Sequence, residues 1–313
     1  MPEAETVLSG SVTFPASDYG NPDPEWLKID WREHVHRVQL PGAEVNYAEI
    51  GEGEPILFIH GLAGCWQNWL ENLPHFGRTH RAVALDLPGF GESPMPSWPI
   101  DMPAYGRLVH DFCERLGIDR VAALVGNSMG GFVATEAVIE RPSRFEKLVL
   151  VSAAGISFAE AQGRRDEVAV RMFEATVPHL AGPHRTWLAR PRGRQIAFGS
   201  VFHYPNRLRR ELLSEQIHPS IRSHGFGAAA LTIGGYDTRD RLPEIEIPTL
   251  VVWGLNDRIV PVEAAIGYHR LIDRSRLEIF ERTGHLPQLE RPARFNQLLD
   301  DFLADRAAPP VSR

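Results

Sequence analysis

The sequence contains little of what would mark a disulfide-bonded, metal-binding or membrane protein. Its only cysteines are Cys65 and Cys113. Their separation matches no ligand spacing, so we expect neither a disulfide framework nor a zinc site, and a reduced, cytoplasmic location is the expectation. No apolar run reaches the roughly 18 residues of a membrane-spanning helix. The first residues lack the basic start and apolar stretch of a signal peptide, so none is expected.

Charge and composition exclude further classes of protein. The 313 residues include 33 basic and 40 acidic side chains, for a formal net charge of −7, which predicts no nucleic-acid partner. Only Lys28 and Lys147 are lysines among the basic residues, so an arginine here says less than usual about anion recognition. With 43% hydrophobic residues, the chain is long enough to form a core without disulfides or metals.

Most of the chain alternates between strand and helix patterns. After an extended arm over 1–30, this alternation covers 31–155 and 241–306 and predicts an α/β fold with a mostly parallel sheet. Residues 307–313 form a tail. The predicted strands are 35–40, 44–50, 56–60, 82–86, 121–126, 147–153, 249–254 and 276–280, and the predicted helices are 103–117, 129–141, 262–272 and 290–304.

The alternation stops over 156–240, which we call the cap segment. This stretch contains no convincing buried strand, and its twelve arginines outnumber its eight acidic residues. We interpret it as a helical cap inserted between two core strands, in which we expect some aromatic side chains to line or support a substrate pocket. The predicted helical pieces are 158–176, 186–199 and 207–217, and the aromatic residues are Phe158, Phe173, Trp187, Phe198 and Phe202.

A short glycine-rich motif lies where a predicted strand meets a predicted helix. It reads Gly126-Asn127-Ser128-Met129-Gly130. In a strand–turn–helix context this pattern is typical of a nucleophile elbow, in which small neighbours let the backbone turn sharply and expose the serine hydroxyl. Ser128 is therefore the predicted nucleophile.

A serine hydroxyl needs a base and an acid that orients the base. In this architecture the chain order is serine, acid, histidine, each after a later strand. Asp257 follows the strand at 249–254, and His285 follows the strand at 276–280. Thirteen histidines are present, so position rather than residue type selects His285 as the base and Asp257 as the acid.

The predicted chemistry also needs donors for an oxyanion. The loop His60-Gly61-Leu62-Ala63-Gly64 directly follows a predicted strand, where one donor is expected. We assign the backbone N–H groups of Leu62 and Met129 to this role. No step of the resulting acyl transfer requires a metal or an organic cofactor, so none is expected.

Together these motifs resemble the α/β-hydrolase superfamily of the capped type. The matching pieces are HGLAG (60–64), DLPGFGES (86–93), GNSMGG (126–131), WGLNDRIVP (253–261) and GHLPQLERP (284–292). The pattern is similar to carboxylesterases and lipases and to hydrolases of meta-cleavage products. Relatives that open epoxides or displace halide use an aspartate as the nucleophile, so Ser128 argues against that chemistry. Asp86 is not counted as catalytic.

Three functions remain open at this stage. The leading hypothesis is hydrolysis of a small-molecule carboxylic ester through an acyl-enzyme. The alternative is hydrolysis of a C–C bond in a meta-cleavage-type diketo acid, whose carboxylate could be received by Arg190 or Arg192. A third hypothesis is a non-catalytic relative that binds a ligand. The sequence does not indicate an oligomeric state.

Overall fold

Eight strands form the central sheet of the computed structural model, which describes residues 18–156, 190–220 and 223–305. The strands are β1 (Val35–Leu40), β2 (Ala43–Ile50), β3 (Pro55–Ile59), β4 (Arg81–Leu85), β5 (Ala123–Asn127), β6 (Leu148–Val151), β7 (Thr249–Gly254) and β8 (Ser275–Phe280). Their order is β1-β2-β4-β3-β5-β6-β7-β8. The pairs β1–β2 and β2–β4 are antiparallel, and the other neighbouring pairs are parallel. The predicted α/β fold with a mostly parallel sheet is confirmed.

Helices connect these strands and flank the sheet. In chain order they are α1 (Leu73–Phe76), α2 (Met102–Arg115), α3 (Met129–Glu140), α4 (Pro191–Phe198), α5 (Arg210–Ser220), α6 (Phe226–Gly235), α7 (Glu263–Leu271), α8 (Pro287–Glu290) and α9 (Pro292–Ala304). None of the helices in the described part of the chain is both long and apolar enough to span a lipid bilayer.

The central strands are buried on both faces, because helices cover the sheet from two sides. In β3, Leu57 and Ile59 belong to one hydrophobic cluster, whereas Ile56 and Phe58 belong to the other. Successive side chains of a strand point to opposite faces. A continuous apolar run such as ILFI therefore packs into two cores at once, as parallel strands with covered faces require.

The described part of the cap segment contains helices and no strand. Helix α4 lies within the predicted piece 186–199, α5 overlaps the predicted piece 207–217, and α6 lies outside every predicted piece. The chain around α6 reads FGAAALTIGG, which has small or apolar side chains nearly all round and no helical periodicity to detect. The predicted piece 158–176, with Phe158 and Phe173, and Trp187 lie outside the described residues. Phe202 is buried in the same cluster as Ile56, and Phe198 packs against that cluster.

The described part of the N-terminal arm is anchored to the core. Trp26 lies in a 3-10 helix (Glu25–Lys28) and is buried, and its Nε1 donates a hydrogen bond to Glu71 Oε1 over 2.9 Å. Asn21 Nδ2 donates to the other carboxylate oxygen of Glu71, also over 2.9 Å. Burying the indole while satisfying its N–H makes this contact favourable.

Lys147, one of the two lysines, caps the C-terminal end of α9, the last helix. Lys147, just before β6, is buried, and its Nζ donates to the carbonyl oxygens of Phe302 at 2.6 Å, Leu303 at 2.7 Å and Asp305 at 3.0 Å. The last carbonyls of a helix have no partner within the helix. An ammonium group, with its three donors, satisfies two of them at the end of α9 and the carbonyl of Asp305, the residue after the helix.

Lys147→Met should therefore destabilise the fold. The variant leaves buried carbonyls without donors, so we expect the free energy of unfolding to fall by about 1–3 kcal/mol in urea denaturation. Lys28→Met is the matched control, because in the described part of the chain Lys28 pairs with Asp23 at the surface, and its loss should change stability by less than about 1 kcal/mol. Equal losses in both variants would contradict the capping role.

Candidate active site

The candidate site residues follow strands that end at one edge of the sheet. Strands β3, β5, β6, β7 and β8 are parallel, so their carboxyl ends meet at that edge. Ser128 directly follows β5, while Asp257 and His285 lie in the loops after β7 and β8. Ligand sites of open α/β sheets are found outside the carboxyl ends of strands.

Ser128 has the backbone conformation that a nucleophile elbow requires. Its φ is 55° and its ψ is −119°, and it is the N-cap residue of α3. Such angles cost a non-glycine residue on the order of 1–3 kcal/mol. The turn also needs small neighbours. A Cβ on Gly126 would lie 2.2 Å from the Gly130 carbonyl oxygen, and one on Gly130 would lie 2.3 Å from the Ile59 carbonyl oxygen.

His285 and Asp257 are in direct contact. His285 Nδ1 donates to Asp257 Oδ2 over 2.8 Å, and the Asp257 side chain is fully buried. Asp257 Oδ1 accepts the backbone N–H groups of Ile259 at 2.8 Å and Val260 at 3.0 Å, which orient the carboxylate. With Nδ1 as the donor, Nε2 of neutral His285 is left as an acceptor, which is the tautomer a general base needs.

Asn127 connects the serine turn to the histidine loop. Its Nδ2 donates to the carbonyl oxygens of Val151 at 3.0 Å and His285 at 3.3 Å. The Ser128 N–H also donates to Val151 O, over 2.9 Å. The hydrogen bonds among the described residues do not include one between Ser128 Oγ and His285. Catalytic hydrogen bonds are often long before substrate binds and tighten in the complex.

The loop at 60–64 packs directly against Ser128. A Cβ on Gly61 would lie 2.9 Å from Ser128 Cβ, so only glycine allows this approach. His60 is fully buried, and burial lowers its pKa to about 4, so the imidazole is neutral. Its Nδ1 donates to Gly61 O over 2.7 Å, and its Nε2 accepts the Leu87 N–H over 2.9 Å. His60 is thus a structural residue that ties this loop to the next one.

The two predicted oxyanion donors flank this contact. Leu62 is next to Gly61, and Met129 is the first residue of α3. The first N–H groups of a helix have no acceptor within the helix and carry its positive dipole end. Both assignments remain predictions, because the backbone geometry alone does not test anion binding.

Asp86 holds loops together at the same edge of the sheet and is not one of the predicted catalytic residues. Its buried carboxylate accepts the N–H groups of Trp66 at 2.7 Å and Glu92 at 2.9 Å, and Asn46 Nδ2 at 2.8 Å. Burial raises the pKa of Asp86 to about 6, and these hydrogen bonds oppose the rise. A Cβ on Gly91 would lie 2.3 Å from the carboxylate, which explains a glycine in DLPGFGES.

The structure adds two residues to which the sequence analysis assigned no role. The His285 N–H donates to Val201 O over 2.7 Å, and Glu290 Oε1 accepts the Gly284 N–H over 2.7 Å. Glu290 stands in the GHLPQLERP motif, but no sequence pattern reveals that its side chain is buried. Within the described residues, no group of three or more His, Cys, Asp or Glu side chains could hold a metal ion.

Comparison with known proteins identifies the family. The sequence model of the alpha/beta hydrolase fold matches residues 54–292, so the chain belongs to the α/β-hydrolase family. A solved thermophilic esterase from Thermogutta terrifontis is similar to this chain, with a TM-score of 0.71 and 26% identity, covering 86% of this chain and 98% of the esterase. The family match and the similar esterase support the conclusion that this protein is a hydrolase.

Two similar curated proteins are named as hydrolases of dienoates. The 2-hydroxy-6-oxo-2,4-heptadienoate hydrolase of Pseudomonas putida is 31% identical, over 85% of this chain and 95% of the relative. The 2-hydroxy-6-oxo-6-phenylhexa-2,4-dienoate hydrolase of Comamonas testosteroni is 32% identical, over 84% of this chain and 92% of the relative.

Gly130→Ala tests the packing of the serine turn. The added methyl group would overlap the carbonyl oxygens of Ile59 and His60, so we expect a loss of about 1–3 kcal/mol in stability and roughly 10²-fold in hydrolase activity. The control is Gly235→Ala, because a Cβ there meets nothing within 4 Å. An active, fully stable Gly130→Ala variant would show that the turn tolerates displacement.

Proposed function

We propose that this protein is a serine hydrolase that cleaves carboxylic esters through an acyl-enzyme. Ser128 is the nucleophile, His285 the general base and Asp257 the acid that orients it. The observation that carries the proposal is the buried Asp257–His285 hydrogen bond at the strand edge where Ser128 occupies a strained turn. Nucleophile, base and orienting group in this arrangement are typical of acyl transfer.

The first half of the reaction forms the acyl-enzyme. His285 Nε2 takes the proton from Ser128 Oγ while the oxygen attacks the ester carbonyl carbon. Asp257 holds the imidazole and stabilises the imidazolium that forms. The carbonyl oxygen becomes an oxyanion, which the N–H groups of Leu62 and Met129 stabilise. The tetrahedral intermediate then collapses, and the leaving alkoxide takes the proton from His285 and departs as the alcohol.

The second half returns the enzyme to its starting state. His285 takes a proton from water, and the resulting hydroxide attacks the carbonyl carbon of the acyl-enzyme. The same two N–H groups stabilise the second oxyanion. Collapse breaks the bond to Ser128 Oγ, which regains its proton from His285, and the carboxylic acid is released.

A solved esterase that is similar to this chain supports an ester substrate. Leu62, one of the two predicted oxyanion donors, packs against the large apolar cluster of the core. Apolar surroundings suit the acyl or alcohol group of an ester. Arg190 and Arg192, which could receive a substrate carboxylate, are both exposed. Neither side chain has a described hydrogen bond or ion pair that directs it toward Ser128 or His285, so the two arginines add no support for a diketo-acid substrate.

Hydrolysis of a C–C bond is the second candidate, because the two similar curated proteins are named as dienoate hydrolases. Both candidates use a hydrolytic site at the same strand edge, so the choice depends on the substrate. We rank the ester first because the similar solved esterase supports it and no described contact directs Arg190 or Arg192 toward the site. A non-catalytic ligand-binding role is the third possibility and predicts binding without turnover.

Ser128→Ala should abolish hydrolysis while the fold remains intact. Removing the nucleophile should lower kcat for a p-nitrophenyl ester by about 10³-fold or more, with an unchanged melting temperature. Ser152→Ala is the matched control. Ser152 is also buried, has a φ of 46° at the end of the neighbouring strand, and its hydroxyl has no hydrogen-bond partner among the described residues. Activity retained in Ser128→Ala would refute the nucleophile assignment.

A direct comparison of substrates separates the candidate functions. We expect kcat/KM for the best short-chain p-nitrophenyl ester to exceed that for 2-hydroxy-6-oxo-2,4-heptadienoate by at least about tenfold, that is, by about 1.4 kcal/mol of transition-state stabilisation. Faster turnover of the dienoate would establish the C–C candidate instead. Saturable binding of either compound without turnover would favour the ligand-binding relative.

A further inference from the structure

Glu290 is a buried carboxylate that the proposed mechanism does not use. Glu290 is 0% exposed, and both of its carboxylate oxygens accept hydrogen bonds. Oε1 accepts the Gly284 N–H over 2.7 Å, and Oε2 accepts the His203 N–H over 2.8 Å and the Tyr19 hydroxyl. Burial raises the pKa of Glu290 to about 7, and these three donors oppose the rise. A group that costly to bury calls for an explanation.

The donors come from three separate parts of the chain. Gly284 precedes His285, His203 belongs to the cap segment, and Tyr19 belongs to the N-terminal arm. A Cβ on Gly284 would lie 2.5 Å from Val201 O, so the cap segment packs tightly on this loop. The His285 N–H donates to that same carbonyl over 2.7 Å. The backbone on both sides of the Gly284–His285 peptide is therefore held by hydrogen bonds.

The Tyr19 hydroxyl contacts both Glu290 and the cap segment. It donates to Glu290 and accepts the Tyr204 N–H over 2.8 Å. The Gly20 N–H donates to the Glu290 carbonyl oxygen over 2.7 Å. The Arg291 guanidinium lies 5.4 Å from the centre of the Tyr19 ring and pairs with Asp18. One hydroxyl thus joins the arm to the buried carboxylate and to the cap segment.

We propose that Glu290 and Tyr19 are positioning residues for the His285 imidazole, so that the N-terminal arm is part of the machinery that aligns the base. This inference rests on the proposed function of His285. Glu290 fixes Gly284 on one side and His203, close to Val201, on the other, so we expect its loss to loosen the hydrogen bond from the His285 N–H to Val201 O. Displacing a catalytic group by about 1 Å can cost 10²-fold in rate, so modest rearrangement suffices.

A second buried carboxylate provides a control for mere anchoring of the arm. Glu71 binds Trp26 and Asn21 of the same arm, as described above, and among the described residues its hydrogen bonds involve neither Gly284 nor the cap segment. Loss of Glu71 should loosen the arm without releasing the histidine loop. Glu71→Gln and Glu290→Gln therefore make the same chemical change at two anchors, only one of which contacts the loop of the base.

The first experiment compares kinetics and stability. Glu290→Gln replaces one acceptor oxygen by an NH₂ group that faces an N–H or O–H donor, and should lower kcat for a p-nitrophenyl ester by roughly 10-fold to 100-fold with KM within about twofold. Tyr19→Phe should lower kcat by about threefold to tenfold. In the double variant the losses should not multiply, because both changes open one network.

Two controls should keep the wild-type kcat at temperatures below their unfolding transitions. Glu71→Gln should lower only the melting temperature. Tyr204→Phe should change neither quantity, because the network uses the Tyr204 backbone N–H and not its hydroxyl. If Glu71→Gln and Glu290→Gln lose stability and kcat in the same proportion, Glu290 is only a structural anchor and the inference is wrong.

A readout that does not depend on turnover separates this inference from the proposed function. The Nδ1–H proton of His285, identified by its absence in His285→Gln, should shift or broaden in the NMR spectrum of Glu290→Gln and stay unchanged in Glu71→Gln. If the wild-type protein hydrolyses no ester but this pattern holds, the proposed function fails and the positioning role stands. An unchanged resonance in Glu290→Gln overturns the positioning role, whatever the activity.

Discussion

The sharp turn at Ser128 is the constraint on which the architecture around the site depends. A parallel strand must pass into a helix within one residue. This imposes a φ of 55° on Ser128, a value that residues other than glycine normally avoid. The turn is possible only because Gly126 and Gly130 have no Cβ where neighbouring backbone approaches within 3 Å, and Gly61 has none where Ser128 Cβ does. The strain is therefore maintained by close packing, which shows why a glycine-rich motif and a buried parallel sheet occur together.

Buried carboxylates then hold the loops around this turn. Asp86 fixes the loop after β4, Asp257 orients His285, and Glu290 joins the histidine loop to the cap segment and the arm. Each carboxylate accepts at least two N–H groups, which offset the cost of removing a charge from water. Irregular loops have few of the regular backbone hydrogen bonds that stabilise strands and helices. Buried carboxylates that accept the N–H groups of these loops supply the rigidity that keeps functional side chains aligned.

The fold and the closeness of Asp257 to His285 could be predicted from sequence because their signals are local. Apolar runs such as ILFI mark strands covered on both faces, and β1 and β7 have the predicted bounds. Asp257 and His285 were placed by chain order and are in contact. Glu290 and Val201 could not be recognised, because their roles arise from contacts between distant segments. Helix α6 was missed because its nearly uniform small and apolar composition has no period to read.

The cap segment and the arm are both connected to the His285 loop, which carries the proposed base. A cap that only covers a pocket changes which substrate binds, whereas one whose carbonyl accepts the His285 N–H also changes how well the base is aligned. Variation in the cap segment is then coupled to kcat as well as to KM. The same reasoning applies to the arm, because Tyr19 contacts both Glu290 and the cap backbone. In the proposed mechanism, segments outside the sheet contribute to catalysis by fixing one loop, and the sheet supplies the edge on which that loop acts.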